Sequence, residues 1–148
     1  MGSILAIDYG LKRVGLAISD QDRLFAFPYK VLENKNFNYL LEKIKVIINE
    51  KDINLIIVGM PYNQRSKIRD RGSEKNVMEK LICEFIERLK KATGIPTEIV
   101  DERLSSFTAE ENLKERGLSA RKLKKFVDEE AARLLLDEFI QKIKQNSK

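Results

Sequence analysis

Several acidic residues in this sequence stand where carboxylates are costly to keep. Asp8 closes the apolar run Ile4-Leu5-Ala6-Ile7, which sets its side chain at the rim of a central strand among desolvating neighbours. Asp101 and Glu102 close the segment PTEIVDE in the same manner, and strand alternation sends them to opposite faces, so only one of them can join Asp8. The most informative acid is Asp128. Ala131, Ala132, Leu135, Leu136, Phe139, Ile140 and Ile143 form one helical stripe, and Asp128 lies four residues before Ala132 and seven before Leu135, on the same side. Glu129 and Glu130 fall off the stripe and read as solvent charges. Two alanines beside Asp128 imply a helix that packs close to the sheet and aims the acid at the strand ends.

Three carboxylates drawn together repel one another, and a divalent cation relieves the repulsion. Mg²⁺ or Mn²⁺ takes oxygen ligands in octahedral geometry and leaves positions for water and substrate oxygens. Two such ions about 3.5–4 Å apart can activate water and stabilise the leaving oxygen of an in-line phosphodiester displacement. The chain has no histidine, which removes imidazole acid/base chemistry and histidine-bound zinc, and its single cysteine, Cys83, cannot form an internal bridge. Taken singly, each acid also has an ordinary structural role: a turn hydrogen bond for Asp8, pairing of Glu102 with Arg103 or Arg13, a helix cap for Asp128.

The charge is concentrated. The net charge is +5, yet residues 62–73 hold Arg65, Lys67, Arg69 and Arg71 against Asp70, and residues 114–125 hold Lys114, Arg116, Arg121, Lys122, Lys124 and Lys125 against Glu115. Those two segments carry +3 and +5, leaving −3 on the rest of the chain. Concentrated cations near an acidic set suit a polyphosphate ligand, although single lysine-rich runs are more often solvated faces. The 148 residues fit one domain, 34% charged residues exclude a low-complexity tail, and no window reaches the ~18 apolar residues of a membrane span. The first residues turn acidic without a basic leader region, so a cytoplasmic protein is expected.

The elements that must position these residues follow from periodicity. Residues 3–8 and 13–19 predict a hairpin, and 25–32 a third strand in which Pro28 marks an edge or a bulge. Residues 36–50 place Phe37, Leu40, Leu41, Ile44, Ile47 and Ile48 on one helical face, and 54–61 reads as a buried strand. A second stripe, Val77, Leu81, Ile82, Phe85, Ile86 and Leu89, predicts a helix over 74–91 that Gly94 and Pro96 end, with Cys83 beside it as a small core residue. A fifth strand at 96–102 precedes a short helix at 107–116, where Thr108 and Glu111 fit a capping box, and a longer one at 121–143. The order βββαβαβαα implies an α/β fold with a mixed five-stranded sheet and helices on its faces. Between Tyr62 and Val77 the chain has Ile68 as its one apolar residue, too little to anchor the 62–73 loop, which predicts mobility in the free protein.

The segments AIDYGLKRVGLAIS at 6–19, IIVGMPYN at 56–63, DERLSS at 101–106 and KKFVDEEAARLLL at 124–136 resemble the YqgF family, also called RuvX, of pre-16S rRNA nucleases or Holliday-junction-resolvase-like proteins. The match runs nearly end to end. The resemblance implies a single RNase-H-like nuclease domain over 1–148, whose sheet has three antiparallel strands and then two parallel ones. It also implies a site for Mg²⁺ or Mn²⁺, in two ions, on Asp8, Glu102 and Asp128, and a role in maturing the 5′ end of small-subunit rRNA. The choice of Glu102 over Asp101 rests on the resemblance; Asp8 and Asp128 stand out by spacing as well. One departure matters: RNase-H-like enzymes generally carry an acid at the end of the fourth strand, where this chain has Gly59, Met60 and Pro61. The acid after the fifth strand must substitute.

Candidate substrate contacts are Lys12 and Arg13 after Gly10, Asn63, Arg65, Lys67, Arg69 and Arg71 in the 62–73 loop, Arg103, and Arg121 and Lys124 in the second basic run. Precursor rRNA is the expected partner, with branched DNA as the alternative substrate. Four-way-junction resolvases use symmetric dimers with paired sites, and nothing in the sequence announces a dimer interface, so a monomer is expected ahead of a dimer. A non-catalytic factor working with transcription or ribosome-assembly proteins is a second class of reading, which the retained acids oppose because bare carboxylates repel phosphate. An actin-like ATPase comes last, since those enzymes close two such units over nucleotide.

Overall fold

The apolar runs of the first half form strands β1 (Ser3–Tyr9), β2 (Arg13–Ser19) and β3 (Ala26–Glu33), and β4 (Ile53–Met60) and β5 (Thr97–Asp101) complete one sheet. Its order is β3-β2-β1-β4-β5, with β1, β2 and β3 antiparallel and β1, β4 and β5 parallel, as the strand and helix alternation predicts. Helices α1 (Phe37–Lys51), α2 (Glu74–Thr93) and α3 (Ala120–Asn146) flank it. This computed structural model describes residues 2–60, 74–101 and 120–146, with side chains at 2–60, 77–100 and 130–145. The expected helix at 107–116 and the 62–73 loop lie outside the described residues.

Two of the helices have local reasons to start or stop. Asn36 caps α1 by accepting from the Tyr39 N–H at 2.8 Å, and Asp52 closes it in the left-handed region at φ 53° while its N–H returns to the Ile48 carbonyl. Gly94 ends α2 at φ +71°, donating its N–H to the Lys90 carbonyl at 2.8 Å.

The sheet is covered on both faces. On one, Leu5, Ile7, Leu16, Ile56 and Val58 pack with Leu40 and Ile44 of α1 and Phe85 and Leu89 of α2. On the other, Ile4, Ala6, Ala17 and Ile57 pack with Ala132, Leu135, Leu136 and Ile140 of α3. Two-sided burial explains why β1 and β4 read as continuous apolar runs and not as alternating ones. β3 is the edge strand, and its register shifts opposite Leu16 and Ala17, next to Pro28, so the proline serves at both an edge and an irregularity.

Two expectations for α2 are corrected. Val77 is 54% exposed and Cys83 is exposed, so neither belongs to the core. The face that packs on the sheet runs through Met78, Leu81, Ile82, Phe85, Ile86 and Leu89. At about 100° per residue, positions 77 and 83 fall more than a quarter-turn from its centre.

Candidate active site

Asp8 is the penultimate residue of the central strand and is half-buried. Its face follows from its neighbours: Ala6 belongs to the cluster under α3, and a period of two puts Asp8 on that same side. The next residue, Tyr9, points the other way and packs its ring on Phe85 at 5.1 Å and Phe37 at 6.3 Å between centroids. This aromatic anchor fixes the end of β1 from below while the carboxylate stands above it.

The residues level with Asp8 on both adjacent strands are glycines. In the antiparallel register Asp8 faces Gly15 of β2. In the parallel register Ile7 aligns with Val58, which brings Gly59 of β4 level with Asp8, and Gly59 in turn aligns with Val100 of β5. Both glycines are buried, and neither places a side chain beyond its Cα at the level of the carboxylate. Sequence reasoning missed both glycines as parts of the site, because only the strand register brings them beside Asp8; neither has a positive φ that would explain it by backbone conformation.

An open depression of about 510 Å³ is lined by Lys12, Arg13, Val31 and Glu33. Gly15 is the dividing residue, since its register partners are Asp8 on one side and Val31 on the other. Arg13 stands opposite Glu33 across β2 and β3. The predicted contacts Lys12 and Arg13 are therefore exposed cations beside Asp8, carried by the turn from Gly10 to Lys12 that joins β1 to β2. Asn34 ties that turn down: its Nδ2 donates to the Gly10 carbonyl at 2.8 Å and its backbone N–H to the Lys12 carbonyl at 2.9 Å.

The other predicted residues reach the structure only in part. Asp128, Arg121 and Lys124 fall within α3, Asp128 one turn before the buried pair Ala131 and Ala132, and their side chains lie outside the described ones. Glu102, Arg103, Asn63, Arg65, Lys67, Arg69 and Arg71 lie outside the described residues altogether. Glu130 is not a free solvent charge: it pairs with Arg133 at 2.8 Å, one turn along the helix. Among the described residues no three acids, cysteines or histidines gather as a metal cluster, and Asp8 is the member of the predicted acidic set whose surroundings are described.

A perturbed carboxyl lies at the far end of β2. Asp20 is held below the ordinary carboxylate range, chiefly by the Phe25 N–H, and its Oδ1 accepts from both Leu24 and Phe25 at 2.8 Å. It closes the β2–β3 turn and is remote from Asp8.

A family model described as RuvX, Holliday junction resolvase, matches residues 2–142. The chain belongs to the RuvX family. Its relatives include a "Putative pre-16S rRNA nuclease" of Maridesulfovibrio salexigens, 39% identical with 93% of this chain and 96% of the relative covered. A protein of the same name from Clostridioides difficile is 37% identical, with 94% of each chain covered. Among solved structures, Thermus thermophilus RuvC in complex with a Holliday junction substrate superposes with a TM-score of 0.60 at 13% identity, over 97% of this RuvX chain and 96% of that one. At that identity the likeness speaks for the fold, which is RNase-H-like as the sequence implies.

Proposed function

We propose that this RuvX protein is a divalent-metal-dependent endonuclease that matures the 5′ end of pre-16S rRNA in the cytoplasm, with Asp8, Glu102 and Asp128 as its acidic set. The observation that carries the reading is the setting of Asp8: a carboxylate at the end of the central strand, flanked by Gly15 and Gly59, with Lys12 and Arg13 on a depression next to it. The names of its relatives support rRNA as the substrate.

Parity supports the remaining acids. Val100 packs with the cluster under α3 at the level of Gly59, and in the sequence Glu102, not Asp101, follows Val100 at the spacing of two expected for that side. Asp128 precedes Ala132 by one turn on the helix whose small residues approach Ala6 and Ala17. Hard oxygen donors of this kind fit Mg²⁺ or Mn²⁺ and suit no soft ion. When bound, such ions supply an activated water and charge stabilisation at the leaving oxygen. The chain's own residues do the rest: Asp8 stays fixed by Tyr9 from the opposite face, and Lys12 and Arg13 attract the substrate phosphates. Asn63, Arg65, Lys67, Arg69, Arg71, Arg103, Arg121 and Lys124 are assigned to the flanking nucleic acid.

The test is cleavage of a precursor 5′ segment and of a four-way DNA junction with Mn²⁺, Mg²⁺ or EDTA, comparing wild type, Asp8→Asn and Asp128→Asn. Metal-dependent cutting of the RNA is expected, reduced by each substitution more than about a hundredfold with binding retained. The family description favours branched DNA as the second reading, and cutting of the junction alone would select it. Binding without cutting in any metal would overturn the enzyme and leave a nucleic-acid-binding factor.

A further inference from the structure

Asn34 belongs to none of the acidic or basic patterns, yet it makes the contacts that define the turn beside Asp8. It is the first residue after β3 and bonds to Gly10 and Lys12, the two ends of the three-residue turn, bracketing Leu11. The side chain's partner at Gly10 is a carbonyl oxygen, which fixes the amide with Nδ2 toward it; the Lys12 carbonyl accepts from the backbone N–H. The turn is tight for a second reason: a Cβ on Gly10 would stand 2.4 Å from the Arg13 carbonyl oxygen. Leu11 is 63% exposed and Lys12 and Arg13 are exposed, so the turn has little side-chain packing of its own. Hydrogen bonds hold it, and the one from Nδ2 of Asn34 to the Gly10 carbonyl is the bond that depends on the asparagine side chain.

We propose that Asn34 is a positioning residue for substrate binding: it locks the Gly10–Lys12 turn so that Lys12 stands at the mouth of the depression next to Asp8 and meets a substrate phosphate there. The inference rests on the nuclease reading and extends it to a residue that touches no substrate. A long lysine on a mobile turn loses more freedom on binding phosphate than one on a turn already fixed, so the lock lowers the ordering cost of the contact. Asn36, two residues on, spends its side chain on the α1 cap, so it cannot take over this role.

The experiment is a double-mutant cycle in the full chain: wild type, Asn34→Ala, Lys12→Ala and the double variant, measured for affinity to a precursor rRNA 5′ segment, for kcat and KM, and for backbone NMR order parameters of residues 10–12. Asn34→Ala is expected to weaken RNA binding about fivefold, the size of one lost hydrogen bond. It should raise KM with little change in kcat and lower the order parameters of the turn. In the Lys12→Ala background the same substitution should change affinity less than about twofold, because residues acting through one contact are not additive. Asn34→Asp keeps the shape and backbone bond but replaces the Nδ2 donor by an acceptor, and gives the same pattern should the alanine variant fold poorly. A fivefold loss that persists without Lys12, or order parameters unchanged from wild type, overturns the positioning role. A wild type that neither binds nor cuts RNA or junction DNA is a different result, in which the nuclease reading fails first and the role of Asn34 in it falls too.

Discussion

Single residues in this protein divide by what their neighbours allow them to do. Asp8 and Asp20 are both carboxylates next to strand ends, but Asp20 has two backbone N–H donors at 2.8 Å and completes a turn, whereas Asp8 stands between two glycines. The bonds to Asp20 have a definite pH signature. Its folded pKa is lowered, so the stabilisation it gives is fully present above the ordinary carboxylate value, about 3.9, and is lost as pH falls through the lower folded value. Acid titration of thermal midpoints should therefore show wild type losing its advantage over Asp20→Asn only below about pH 4; a constant difference down to pH 2 would assign the effect to shape and not to charge. Asp8 and Asp128 stand out in the sequence because a carboxylate breaks an apolar pattern. Cys83 was misread because a neutral thiol breaks none, and its exposure depends on where the α2 stripe is centred.

At the scale of elements, the site is a matter of register. β1, β2 and β4 each carry a small residue at the level of Asp8 or one step below it: Gly15, Gly59, Ala6 and Ala17. Gly59 is buried at the level of Asp8 on an interior strand, so Gly59→Val is expected to cost about 1–3 kcal/mol in denaturant unfolding. Cleavage by the folded variant should drop at least about tenfold; unchanged cleavage would show that crowding at Gly59 does not reach the carboxylate. The helix side is tested by Ala132→Leu. Ala132 is fully buried against Ala6 and Ala17, so added methylenes there should cost about 1–3 kcal/mol in denaturant unfolding and move α3 off the sheet. If Asp128 works from that helix, the same variant loses activity beyond its loss of stability.

Over the whole molecule, the basic segments and the exposed Lys12 and Arg13 predict binding dominated by phosphate contacts. The logarithm of RNA affinity should fall linearly with the logarithm of salt concentration, and Lys12→Ala should reduce the slope by about 1 without changing preference among RNA sequences. A slope equal to that of wild type would remove Lys12 from the interface. The apolar patterns of the sequence already determined the five strands, their order of type, the helix stripes and the acids that interrupt them, because burial imposes periods of two and 3.6 that composition cannot hide. The tertiary structure alone decided what stands beside Asp8. Gly15 and Gly59 are 7 and 51 residues from Asp8 along the chain, and Asn34 is 26 away, yet hydrogen-bond register and one side-chain amide bring them to a single place. Registers are set by pairing across strands and not by the pattern within any one of them.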